Sequence, residues 1–133
     1  MPEQIFLQGP AGQIEVFVDY PQGEVKGFAV VCHPHPLQGG TPQHKVPVLL
    51  AQMYLERGCI VYRPSFRGSG QSEGIHDKGF GETDDVLEVI RFARNQHIAL
   101  PFYAGGFSNR TNVMEKKYEA LHVELYTKQN TLC

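Results

Sequence analysis

The chain has 133 residues, of which 41% are hydrophobic and 20% charged, and it reads as a single soluble domain over residues 1–133, long enough to bury a core. A net charge of −2 with no basic stripe argues against a nucleic-acid partner. No apolar run approaches the roughly 20 residues of a membrane span.

The start, Met1-Pro2-Glu3-Gln4, lacks the basic and apolar regions of a signal peptide. Cys32 and Cys59 lie in apolar runs and Cys133 is the last residue. That is no disulfide framework, so inert buried thiols and a cytoplasmic location are expected.

A first strand is expected over Ile5–Gln8, turning through Gly9-Pro10-Ala11-Gly12. Alternation of Ile14, Val16 and Val18 marks a second, half-buried strand. Gly27–Cys32 is a continuous apolar run, as a strand covered on both faces requires. A loop from His33 to about Thr41 follows it. Val46, Leu49, Leu50 and Met53 then recur at helical spacing, with Pro47 in the first turn and Gly58 as the terminating C′ glycine.

Cys59–Tyr62 reads as another buried strand, followed by the glycine-rich loop Arg67–Gly74, a flexible rim for a site. A second helix is expected over Asp84–Asn95, with Val86, Val89, Ile90 and Ala93 inward and two aspartates in its first turn. Pro101–Ala104 is the next buried strand. Met114, Tyr118, Leu121 and Leu125 share a face of a final helix. Alternating buried strands and helices predict an α/β fold with a mostly parallel sheet.

Gly105-Gly106-Phe107-Ser108 carries the chemical signal. A serine on a sharp turn between strand and helix is a nucleophile elbow. Arg110 stands where the motif G-x-S-x-G needs a small residue. The alternative is that Ser108 merely caps the last helix. Its position after the third strand of a βαβαβ series favours a site, because open α/β sheets place their sites at the carboxyl ends of strands. His33-Pro34-His35-Pro36-Leu37-Gln38-Gly39-Gly40 follows an earlier strand at the same edge. Prolines donate no N–H, so Leu37 and Asn109 are the candidate backbone donors of an oxyanion hole. His33 and His35 could bind a metal, serve as a base, or shape the loop. No carboxylate or cysteine lies at ligand spacing, so no metal and no cofactor are expected.

The ordered set HPHPLQGG (His33–Gly40), FRGSGQSEG (Phe66–Gly74), the Asp84-Asp85 helix and AGGFS (Ala104–Ser108) resembles the α/β-hydrolase superfamily, and most closely its compact bacterial branch. The likeness runs from about Gly27 to Ser108. It implies a three-layer αβα sandwich and a Ser-His-Asp hydrolase acting on the ester, thioester or amide of a small acyl substrate. It also implies Ser108 as nucleophile, with His33, His35, Gly39, Gly40 and Arg67 lining the site.

After Ser108 the chain departs from this pattern, leaving 109–133 as a divergent tail. No aspartate follows, and the only histidine, His122, would lie about 20 Å away along a helix at 1.5 Å per residue. A truncated or frameshifted family member with weak or no activity is therefore expected. The alternative is a non-catalytic module that forms a homodimer through the sheet edge left at Pro101–Ala104.

Overall fold

A computed structural model describes residues 2–32, 45–75, 77 and 80–105. The expected final helix lies outside them. Strands β1 (Glu3–Gly9) and β2 (Gly12–Asp19) form a hairpin, joined through Pro10 and Ala11. Strand β3 (Gly27–Val31) leads to helix α1 (Lys45–Glu56), then to strand β4 (Cys59–Pro64), helix α2 (Phe80–Gln96) and strand β5 (Phe102–Gly105).

These strands make one sheet in the order β1-β2-β4-β3-β5. β2 is antiparallel to both β1 and β4, whereas β3 is parallel to β4 and β5. Four strands thus run one way and only β2 opposes them, so the expected mostly parallel α/β sheet is present.

Crossovers in opposite directions along the sheet place the helices on opposite faces, and the side chains sort accordingly. Phe28, Val30, Ile60, Tyr62, Phe102 and Ala104 pack with Val86, Val89, Ile90 and Ala93 of α2. Their neighbours Ala29, Val31, Cys59 and Val61 pack with Ala51 and Tyr54 of α1. Side chains of period two met by a layer on each side explain why β3 and β4 are buried throughout.

Three expectations are corrected. The buried face of α1 is Pro47, Ala51 and Tyr54, while Leu49 and Met53 are 53% and 49% exposed. This helix is apolar on more than one side, so periodicity alone cannot choose the inward stripe. The choice falls to Tyr54, whose ring stacks on Tyr103 at 6.1 Å and whose hydroxyl donates to the Ala104 carbonyl at 3.3 Å. Helix α2 begins at Phe80 rather than Asp84, which moves Asp85 out of the first turn and into the protein. Finally, Cys59 is a free buried thiol as expected, but Cys32 is disulfide-bonded. An apolar run reports burial and carries no information on what a sulfur meets. On β5, Phe102, Tyr103 and Gly105 make further interactions.

Candidate active site

The carboxyl ends of β4, β3 and β5 lie side by side because the three strands are parallel. Val31, the last residue of β3, is opposite Gly105, the last of β5. The next amide in β3's path, Cys32 N–H, donates to the Gly105 carbonyl at 3.0 Å. The His33–Gly40 segment and the segment bearing Ser108 therefore depart from neighbouring, hydrogen-bonded strand ends. His33, His35, Leu37, Gly39, Gly40, Ser108 and Asn109 themselves lie outside the described residues.

Gly105 is closely overlaid by α1. A Cβ there would come 3.1 Å from the Tyr54 ring and hydroxyl. Tyr54 therefore fixes the height of the chain just before the expected elbow, by contact with Gly105 and by its hydrogen bond to Ala104.

The third strand end, β4, opens into the loop carrying Arg67. This loop is not the flexible rim expected from its glycines. Ser65 Oγ donates to Glu15 Oε1 at 2.8 Å and the Gln71 N–H donates to the same oxygen at 3.2 Å. Gln4 Nε2 donates to the other oxygen, Oε2, at 2.6 Å. Ser72 Oγ accepts from the Glu15 N–H at 2.9 Å and donates to the Ser65 carbonyl at 2.7 Å. Each buried polar group thus finds partners, as burial demands. The carboxylate that organises the loop, Glu15, is on β2 and far away in sequence, so no local motif announces it.

Arg67 is the one expected site residue that the structure describes. It makes a bidentate ion pair with Asp85, Nε to Oδ2 and Nη2 to Oδ1 at 2.8 Å each, and Nη2 also donates to the Gly81 carbonyl at 2.9 Å. The two side chains are 11% and 5% exposed. Burial pushes the Asp85 carboxyl up, against the opposing effect of the Arg67 hydrogen bonds. The bond to Asp85 raises the Arg67 guanidinium above its ordinary range. The bidentate geometry keeps both groups charged at neutral pH. Arg67 so ties the β4 loop to the first turns of α2. The sequence signal that could have found this pair is the pairing of a loop arginine with an acidic residue inside an apolar helical stripe.

Among the described residues no group of three or more His, Cys, Asp or Glu is placed to hold a metal ion. No helix among them is long and apolar enough to cross a membrane.

No protein-family model matches the chain. An α/β serine hydrolase homologue from Coxiella burnetii is 37% identical and superposes with a TM-score of 0.84, covering 92% of this chain and 60% of that one. An α/β serine hydrolase without a lid from Xanthomonas campestris is 34% identical, also at a TM-score of 0.84, covering 93% of this chain and 59% of that one. An uncharacterized protein of Rickettsia prowazekii is 38% identical over 83 residues, 62% of this chain and 35% of the relative. The chain thus spans about three fifths of the length of these solved structures.

Proposed function

The chain belongs to the α/β-hydrolase superfamily, and on that premise we propose that it is a serine hydrolase of the α/β type, acting on an ester, thioester or amide, whose activity as this 133-residue chain is weak or absent. In this reading Ser108 Oγ attacks the acyl carbonyl. The backbone N–H groups of Leu37 and Asn109 donate to the carbonyl oxygen as negative charge develops on it. The observation that carries the reading is the pairing of Val31 with Gly105 and the Cys32–Gly105 hydrogen bond. It starts the oxyanion loop and the nucleophile segment from adjacent strand ends, the arrangement that acyl transfer needs.

The weakness proposed is that of these 133 residues by themselves, of which those after Ser108 include no aspartate and only His122. Loss of triad members leaves the residual catalysis of the oxyanion hole and binding. A fluorophosphonate probe tests both halves of the proposal. Slow labelling that Ser108→Ala abolishes, with p-nitrophenyl ester hydrolysis near background, is the expected result. Labelling unaffected by Ser108→Ala removes Ser108 from its role, and rapid turnover that Ser108→Ala abolishes refutes the predicted weakness.

A further inference from the structure

β1 is the outermost strand of the sheet and pairs with β2 alone among the described residues. In an antiparallel ladder the backbone groups of successive residues face opposite sides, and the contacts of β2 fix which way each faces. Gln13 directs its N–H to Glu73 Oε1 and its carbonyl to the Glu73 N–H. Glu15 directs its N–H to Ser72 Oγ and its carbonyl to the Ser65 N–H. These residues turn away from β1, so Ile14, Val16 and Val18 turn towards it and meet Leu7, Ile5 and Glu3. The N–H and C=O groups of Gln4, Phe6 and Gln8 consequently point outward from the sheet.

We propose that this edge is a self-association surface, on which β1 of a second copy of the chain adds antiparallel about a two-fold axis at Phe6. The sequence Glu3-Gln4-Ile5-Phe6-Leu7-Gln8-Gly9 is self-complementary in that register. Phe6 meets Phe6 of the second copy, Gln4 meets Gln8, and Ile5 meets Leu7. The three residues with outward backbone groups then pair with one another. The strand's single charge, Glu3, falls opposite Gly9, so no like charges meet. Phe6 is 44% exposed, and Ile5 and Leu7 are only partly buried against the core, so all three lose apolar surface on pairing.

Natural sheets protect such edges with lysines, prolines or bulges. β1 has neither residue, and its register with β2 runs unbroken from Glu3 to Gly9. A self-complementary patch closes as a two-fold dimer rather than a filament. One strand pair buries less than the ~1,200 Å² of a standard interface, so the dimer is weak and reversible.

Sedimentation equilibrium of the whole chain, at concentrations on the order of 100 µM where contacts of this size hold, tests the proposal. The chain is expected to show a monomer–dimer equilibrium. Phe6→Lys and Phe6→Glu, each placing like charges at the two-fold axis, are expected to be monomeric, and their equimolar mixture to dimerise again. Far-ultraviolet circular dichroism confirms that the variants fold. A monomeric parent chain overturns the proposal. So does a Phe6→Lys dimer, or a mixture of the two variants that stays monomeric.

Discussion

Replacing Asp85 with alanine strands the Arg67 guanidinium, whose side chain is 11% exposed, beside a cavity where its counter-ion stood. Two charge-assisted bonds of 2.8 Å disappear and only the bond to the Gly81 carbonyl at 2.9 Å remains. Breaking a buried pair from one side destabilises by about 3–5 kcal/mol. That is a fifth or more of the roughly 5–15 kcal/mol that holds a domain of this size together. The pair's own net worth is smaller, because burial opposes ionisation of Asp85. The double replacement Arg67→Met with Asp85→Leu is therefore expected to recover most of the loss and to finish within about 1–2 kcal/mol of the parent. Urea unfolding followed by circular dichroism measures both, from the midpoint at constant slope. Added salt is expected to change the difference little, since neither group faces bulk solvent. An Asp85→Ala loss under about 1 kcal/mol, or a double variant no better than Asp85→Ala alone, would refute the account of this pair.

Gly70 has φ +53, and a Cβ there would run into Glu15 Oε1. Gly70→Ala adds left-handed strain to the displacement of a buried carboxylate from Ser65 and Gln71, roughly 2–5 kcal/mol together, read as a lowered unfolding midpoint. Gly58→Ala, at φ +86 with the Lys26 side chain 3.1 Å away, is expected to lose less, about 1–2 kcal/mol. In acid, His97 sets a sign: burial, then Arg94, lowers its pKa below 6.5. Its neutral ring, bonded to the Tyr62 hydroxyl at 2.7 Å, contributes stability that is present above pH 6.5 and lost as pH falls through the folded-state value. His97→Phe should flatten that part of the stability–pH curve, and an unchanged slope would remove His97 from the explanation. In alkali, burial pushes Tyr62 up to about 12 from 10.0. Stability is therefore expected to fall as pH rises from 10 towards 12, and Tyr62→Phe to lessen that fall.

Local chemistry by itself determined the repeating plan of this protein. The unbroken apolar runs at Gly27 and Cys59 could only be strands covered on both faces. The stripe from Val86 to Ala93 had one inward direction to take, and Gly58 at positive φ ends α1 where its type predicts. The motifs at His33–Gly40 and Ala104–Ser108 were also legible, because each follows such a strand. Residues 33–40 and 106–108 lie outside the described residues, and the adjacency of β3 and β5 brings together the strand ends from which they continue.

Tertiary structure alone decided the rest. α1 carries apolar residues on more than one side, and only the sheet beneath, through Tyr103 and Ala104, selects Tyr54 over Leu49 and Met53. Glu15 reads in sequence as the outward member of an alternating strand, yet it is 4% exposed because the β4 loop folds over it. Arg67 and Asp85 are 18 residues apart and become one buried pair only when β4 and α2 meet. Periodicity records which residues avoid water. It cannot record which polar groups from distant segments will satisfy one another, because that depends on the order in which the strands are laid side by side.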